Sequence, residues 1–504
     1  MRRLTYISIL TLLCVAAASA QDRYERVVRH NMWNMGGGTA GLRLDSLSTS
    51  YAEIYAVKEN GKFVPTYGSA DSWNFGAQMK SVYHLKKISF AGGFGYDYFL
   101  GNRMCGSMFT RPGYYPVDIL EFTPGRKIRE TYSFEGGMSV ELGRGLMFGL
   151  LADVSAQSYS KRKDLRHKNN ALDLRVMPSL TWRFADGAVG ATYIFDKNSE
   201  SVSAGEYGVS SENYYAFFDK GICYGNSELW TGSGIHLDEA GVSGFPVREF
   251  TNGAMLQAQW RGVYVDASYR RGSGRTGEKQ TIWHEFGSDA VDAHVGVSLR
   301  GRWFIRAGFG YFDQTNNENV MNTVTENGVT IMQKFGSNAI FSRRSYSASL
   351  EAEYAADRWE IVFGANYRTL DRLSTLVYPQ YRTHSMDAAR FFVDARMVFG
   401  AFEVSLSASG AFGGSDEGGG VVVEGINSGD YPVCLNDWLA AETEWFTASR
   451  VGCGVGLRYN IRKFYIDLRG DYTRAFGVRM LGSNRVNASL SAGYRFCRNI
   501  YILT

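Results

Sequence analysis

Beyond its first twenty residues, this 504-residue chain has no window long and apolar enough for a membrane helix, and its mean hydropathy is slightly negative, at -0.22. A spanning helix needs about 20 consecutive apolar residues. The absence excludes a helical membrane protein. It leaves a soluble exported protein or a barrel whose apolar residues are diluted by an alternating polar face. Proline is scarce too, at 8 residues, against 58 glycines, 31 tyrosines and 31 phenylalanines. Aromatic girdles and smooth inner walls require that balance.

An excess of either charge is also missing. Of 54 basic residues, Arg2 and Arg3 fall in the N-terminal leader, so the mature chain is close to neutral against 50 acidic residues. That balance offers no footprint for a nucleic-acid partner. Cysteine is sparse: Cys14 lies in the leader, and Cys105, Cys223, Cys434, Cys453 and Cys497 form an odd set with no zinc spacing. Cys453, among Val451, Val455 and Leu457, reads as a small hydrophobe. Cys105, Cys223 and Cys434 fall in long loops, where the pairing of two of them stays open. No cofactor is expected.

The leader itself has the parts of an export signal. Arg2 and Arg3 are its basic start, Ile7 to Val15 its apolar centre, and Ala18-Ser19-Ala20 its cleavage motif. Leu13 precedes Cys14 where lipoprotein processing needs a small residue, so ordinary cleavage after Ala20 is expected.

What is present is a repeated pair of alternating segments joined by a short turn. In 290–311, Val291, Ala293, Val295, Val297 and Leu299 share one face, and Asp292, His294, Gly296, Ser298 and Arg300 share the other. After Gly301-Arg302, Trp303, Ile305, Ala307, Phe309 and Tyr311 alternate again. Side chains switch faces at each strand residue, and paired strands of about ten residues with aromatic ends are the signature of a transmembrane β-barrel. Eight such pairs give sixteen strands. If the short turns are periplasmic and the longer stretches extracellular, parity demands one more strand at each end. Residues 49–57 and the run from Val486 to Phe496 supply them. The fold class expected is therefore an all-β, antiparallel, up-and-down outer-membrane barrel of about eighteen strands, within a range of 14–18. A segment 21–48 precedes it, and the barrel fills 49–504. Trp182, Trp260, Trp303 and Trp359 flank short turns, while Tyr193, Tyr269, Tyr346, Tyr367 and Phe412 sit at the opposite ends, as two interfacial belts would require.

The same parity assigns a lumen face. Its lining residues are Asp153, Arg175, Arg183, Asp266, Asp292, His294, Arg306, Glu351, Arg368, Asp394, Arg396, Arg458, Asp467 and Arg469. Acidic and basic clusters that face one another would set up a transverse field selecting polar solutes. The plainer alternative is a wall of ion pairs that holds the barrel's shape. Gly452, Gly454 and Gly456, with Gly308 and Gly310, leave that face bare, to admit a ring or loop or to ease curvature. The longest connection, 197–249, carries Tyr214, Tyr215, Asp219 and Lys220 near its middle and is the candidate constriction; a hairpin over the mouth is the alternative. Segment 21–48 is too short for a globular plug but long enough to occlude part of the periplasmic mouth.

Catalysis has little to stand on. His294 shares a face with Asp292 and Ser298, but three side chains on one strand point in parallel and do not converge. The chain has no Gly-x-Ser-x-Gly elbow, phosphate-binding loop or His-x-x-x-His pair.

The stretch from Asn31 to Ser69 resembles the opening of an uncharacterised outer-membrane barrel family of the Bacteroidota. Gly41-Leu42, Ser50-Tyr51-Ala52-Glu53 and Gly61-Lys62-Phe63-Val64-Pro65 carry the resemblance. It implies an outer-membrane barrel of unknown role and supplies no catalytic or ligand residues. The function expected is a passive or weakly selective pore for small polar solutes, surrounded by outer-membrane lipid. The alternatives are a non-conducting surface-binding or scaffold component that meets other envelope proteins, and an outer-membrane hydrolase.

Overall fold

The computed structural model describes residues 30–37, 39–44, 48–205, 207, 215–224, 226–229, 242–278, 281–326, 329–375, 381–419, 426–428 and 431–496. The leader, its cleavage site, Tyr214 and Cys497 lie outside the described residues.

In chain order the strands are β1 (Thr49–Asn60), β2 (Asp71–His84), β3 (Ile88–Ser107), β4 (Asp118–Gly143), β5 (Leu146–Lys161), β6 (Arg166–Phe184) and β7 (Gly187–Gly205). A loop hairpin follows, β8 (Tyr215–Asp219) and β9 (Asn226–Leu229). Then come β10 (Val242–Trp260), β11 (Val263–Glu278), β12 (Thr281–Leu299), β13 (Trp303–Glu326), β14 (Val329–Ala355), β15 (Trp359–Thr375), β16 (Tyr381–Phe399) and β17 (Phe402–Gly419). After a small hairpin, β18 (Ile426–Ser428) and β19 (Tyr431–Val433), helix α1 (Leu435–Thr447) precedes β20 (Arg450–Ile461), β21 (Phe464–Ala475) and β22 (Asn484–Phe496).

Leaving aside the two hairpins, eighteen strands pair antiparallel with their neighbours, and β22 returns to β1 from Ser50↔Phe496 to Asn60↔Val486. The ring is closed, which leaves no sheet edge exposed to lipid. Both terminal strands demanded by parity are present, and β1 runs three residues past the expected end at Val57.

Alternation produces the two faces. Trp182, Trp260, Trp303 and Trp359 stand exposed on the outside next to short turns, and Tyr193, Tyr269, Tyr346, Tyr367 and Phe412 stand exposed at the other end, with Leu256, Leu350, Phe363 and Leu406 between them. Outward apolar exposure of this kind is satisfied only by lipid.

The long connections differ from the expected loops. The stretch 313–343 is mostly ladder, because β13 runs for 24 residues and β14 for 27, well beyond the 9–11 that cross a membrane. Above the bilayer neither face meets lipid, so the extension needs no apolar alternation and escapes a pattern search.

Candidate functional site, the barrel lumen

Two inserted pieces divide the lumen. At the short-turn end, residues 30–44 form two 3₁₀ turns, Met32–Gly36 and Ala40–Leu44. Asn31 caps the first by accepting a hydrogen bond from the Trp33 amide at 3.1 Å. Trp33 is fully buried, its indole lying over Gly41, where a Cβ would sit 1.8 Å from the ring, and edge-on to Tyr264 at 5.7 Å. Gln257 donates to the Trp33 carbonyl at 3.3 Å. One end of the segment is tied to the wall where His30 stacks on Phe304 at 3.9 Å and its Nε2 meets Glu353 at 2.6 Å. The other end is tied where Arg43 donates to the Lys86 carbonyl at 2.8 Å and pairs with Glu141 at 3.2 Å. β13 and β14 stand across the ring from β2 and β3, so the segment is a strap across the mouth. Segment 21–48 was expected to be able to occlude part of that mouth; its described residues lie there.

The opposite end is filled by packed chain. β8 pairs with the outer end of β4, Asp118↔Asp219 through Glu121↔Ala216. Phe217 packs with Leu120, Phe122, Cys223 and Leu435, and Phe218 joins Met108, Ile119, Val247 and Phe286 in a second cluster. Beyond the turn, Ile222 meets Ile340, Phe341 and Leu439. The hairpin and α1 thus reach from β4 to β14, nearly a full diameter. Among the residues singled out for a constriction, Tyr215 opens β8. Asp219 is half-buried, with its carboxylate accepting the Gly221 amide at 2.8 Å, and the buried Lys220 pairs with Glu318. Neither side chain projects freely into a passage. Sequence pattern missed α1, because its short apolar face is surrounded by loop composition.

Most residues assigned to the lumen are ion-paired along the wall. Arg175 pairs with Asp196 at 2.6 Å, Arg270 with Asp292, Arg306 with Glu351 at 2.7 Å and Glu353 at 2.9 Å, and Arg396 with Glu403 at 3.3 Å. Arg458 meets Asp467 at 2.7 Å and Arg469 meets Asp471 at 3.2 Å. Asp394 lies beside Arg396 and Arg469 in a cavity of about 220 Å³, and Arg183 sits at the rim beside the turn at Gly145. His294 Nδ1 lies 2.8 Å from Asp266, on the next strand rather than on its own. Ser298 is not brought to it, so the three-residue set on β12 is not assembled.

Bare glycines are used in two ways. Gly76 and Gly493 admit the rings of Tyr55 and Tyr465, each of which would meet an added Cβ within 2.2 Å. Gly452, Gly454 and Gly456 instead face serine hydroxyls or Asp471.

Two groups of charge stand apart from the paired wall. Glu135 and Asp153 are register neighbours on β4 and β5; among the described residues neither carboxylate makes a direct ion pair or hydrogen bond, although Asp153 stands opposite Arg175 on β6. Both line a cavity of about 440 Å³ between the strap and the wall, with Arg175, Asp266, Asp292 and His294. Across the ring, β15, β16 and β20 carry Arg368, Arg390 and Arg450, which likewise have no carboxylate partner among the described residues. Arg390 and Arg450 were missed in the sequence, although the even-numbered parity of Asp394 and Arg458 on their strands would have found them.

Cys105, Cys223, Cys434 and Cys453 are all free thiols. Burial pushes the Cys105 and Cys223 thiols up, Cys105 to about 11, so neither is a ready nucleophile.

Similar proteins share the barrel and little sequence. BauA, the ferric preacinetobactin receptor from Acinetobacter baumannii, is 8% identical over 90% of this chain and 80% of its own, with a TM-score of 0.44. The FrpB iron transporter from Neisseria meningitidis is 9% identical over 91% and 82%, also at 0.44. The ferric citrate transporter FecA is 9% identical over 89% and 78%, at 0.42. The likeness stops at the general form of the barrel. No curated protein matches the chain. A family model matches residues 39–496, most of the 504-residue chain, and the protein belongs to that family, the family of unknown function DUF6850.

Proposed function

We propose that the protein is a constricted, weakly selective outer-membrane pore for small polar solutes, exported through a leader cleaved after Ala20. The resemblance of its opening motifs implies a Bacteroidota envelope. One observation carries the reading: Glu135, which has no ion-pair partner among the described residues, and its neighbour Asp153 stand across the ring from Arg368, Arg390 and Arg450, which have no carboxylate partner among them. A wall that served only to hold shape would neutralise the three guanidiniums locally, as it does at Arg458 with Asp467 and as Arg175 does opposite Asp153. Opposite signs on opposite walls create a transverse field that orders dipolar solutes and disfavours apolar ones.

Planar-bilayer recording of purified protein tests the reading. Stepwise conductance, lower than an unobstructed eighteen-strand barrel would give, is the expected result. A second reading, a non-conducting surface-binding component, is favoured by the apolar clusters around Phe217 and Phe218 that fill the outer lumen. Silence in the bilayer by protein that is folded and inserted would replace the first reading with the second.

A further inference from the structure

We propose that Arg368, Arg390 and Arg450 form a binding site for a small oxyanion, the carboxylate or phosphate group of a solute, on the outer lumen wall beside the end of α1. The register builds the cradle. Arg390 stands opposite Ala411 across β16 and β17, and Ala411 stands opposite Arg450 across β17 and β20. Two guanidiniums therefore flank a methyl-sized side chain, about two strand spacings apart, or roughly 10 Å at the backbone. Arg368 lies on the adjoining β15, opposite Ala388, one same-face step from Arg390.

Aromatic rings hold these side chains in place without neutralising them. The Arg368 guanidinium lies 4.2 Å from the centre of the Phe446 ring. That of Arg450 lies 5.8 Å from both Phe63 and Trp445, and its Nη1 donates to the Trp445 carbonyl at 2.9 Å. The charges that act most strongly on Arg450 are the like charges of Arg368 and Arg390. Elsewhere on this wall Arg372, Arg396, Arg458 and Arg469 each have a carboxylate.

A purely structural role would be to compensate the C-terminal end of α1, whose last turn contains no basic residue of its own. That end is equivalent to about half a negative charge, against three guanidiniums, so most of the positive charge remains uncompensated. Planar fork donors gathered on one stretch of wall are suited to carboxylate and phosphate oxygens, which accept two parallel N–H bonds. The inference does not depend on conduction, since a closed barrel could hold the same ligand.

Isothermal titration of the mature protein in detergent tests it, with inorganic pyrophosphate in one arm and malonate in the other, at low and high salt. Saturable binding of at least one probe is expected, and the arm that binds names the oxyanion. Binding should weaken at least tenfold in Arg390→Gln/Arg450→Gln, weaken less in Arg390→Lys/Arg450→Lys, which keep the charge but lose the fork, and be unchanged in Arg344→Gln, an arginine paired with Asp313 away from the cluster. If the double glutamine variant fails to fold, Arg368→Gln at the edge of the cluster provides the same comparison. No saturable binding by the native protein, or full binding by the glutamine variants, overturns the site. A barrel that conducts but binds neither probe loses this site and keeps the pore; one that binds but never conducts does the reverse.

Discussion

Arg372 grips Glu442 through two parallel hydrogen bonds, Nη1 to Oε1 at 3.0 Å and Nη2 to Oε2 at 3.1 Å, so a guanidinium on the barrel wall holds the helix that fills the outer lumen. His384 joins the same knot, its Nε2 2.9 Å from the Thr443 hydroxyl on α1. Burial alone would raise the Glu442 carboxyl, but the charge and hydrogen bonds of Arg372 outweigh it and hold the group below its ordinary range. A depressed carboxyl contributes stability above its unfolded value and loses it as pH falls through the folded value. The helix should therefore stay docked at neutral pH and loosen only in strong acid.

Removing the carboxylate leaves the largely buried Arg372 guanidinium uncompensated, and because Glu442 is about a third exposed, solvent screening keeps the loss at the low end of the ~1.5–3 kcal/mol typical of a charged hydrogen bond. Glu442→Gln should raise single-channel conductance and shorten closed times at neutral pH. A conductance identical to that of the native protein would mean that α1 does not limit the passage.

The hairpin should respond to pH with the opposite sign. Burial pushes the Asp219 carboxyl up to about 6, and its register partner Asp118 is raised well above the ordinary range by the same cause. Arg372 lowers Asp219, as do its backbone hydrogen bonds, while Glu442 raises it. A raised carboxyl stabilises docking fully below its unfolded value and loses that contribution as pH rises through the folded one. Conductance should therefore be smaller at pH 5 than at pH 8, and Asp219→Asn should flatten the difference. Equal currents at both values in the native protein would remove the hairpin as a gate.

The strap makes a separate prediction. Trp33 anchors residues 30–44 by filling the space that Gly41 leaves open. Truncating a buried aromatic side chain costs about 3–5 kcal/mol, and here the loss falls on a short segment held outside the strand ladder. Trp33→Ala should free the strap while the barrel stays folded. Protease added on the periplasmic side should then cut within 30–44, and conductance should rise. Protection equal to that of the native chain would show that His30 and Arg43 suffice to hold it.

How much of this was legible in the sequence follows from the solvents involved. Lipid on one side and water on the other impose strict alternation, so the stretch 290–311 of β12 and β13 could be read residue by residue, and the parity of the short turns required β1 and β22. Inside the lumen no such contrast exists. Trp33 and Gly41 meet through chain folded back on itself, and Phe217 meets Leu435 across more than two hundred residues of sequence, pairings that carry no period. Charge was legible as a face but not as partners. Arg458 and Asp467 pair across a tight hairpin, whereas Arg390 and Arg450 become neighbours only because β17 lies between them.

Adjacent residues on one strand provide the sharpest check of the two faces. Leu406 points outward near the middle of the apolar band, 48% exposed, and Ser407 points inward to a cavity it shares with Asp394 and Gly454. An arginine on the lipid face near the bilayer midplane costs about 2–4 kcal/mol in a barrel of this kind. Leu406→Arg should lose that much stability when urea-driven folding into lipid vesicles is titrated. Ser407→Arg places the same charge among water and within reach of Asp471, whose carboxylate lies against Gly454 beside the Ser407 hydroxyl. Its folding midpoint should stay close to that of the native protein, while its ratio of anion to cation permeability rises. Equal destabilisation by the two substitutions would mean that β17 does not divide lipid from lumen, and the pore reading would fall with it.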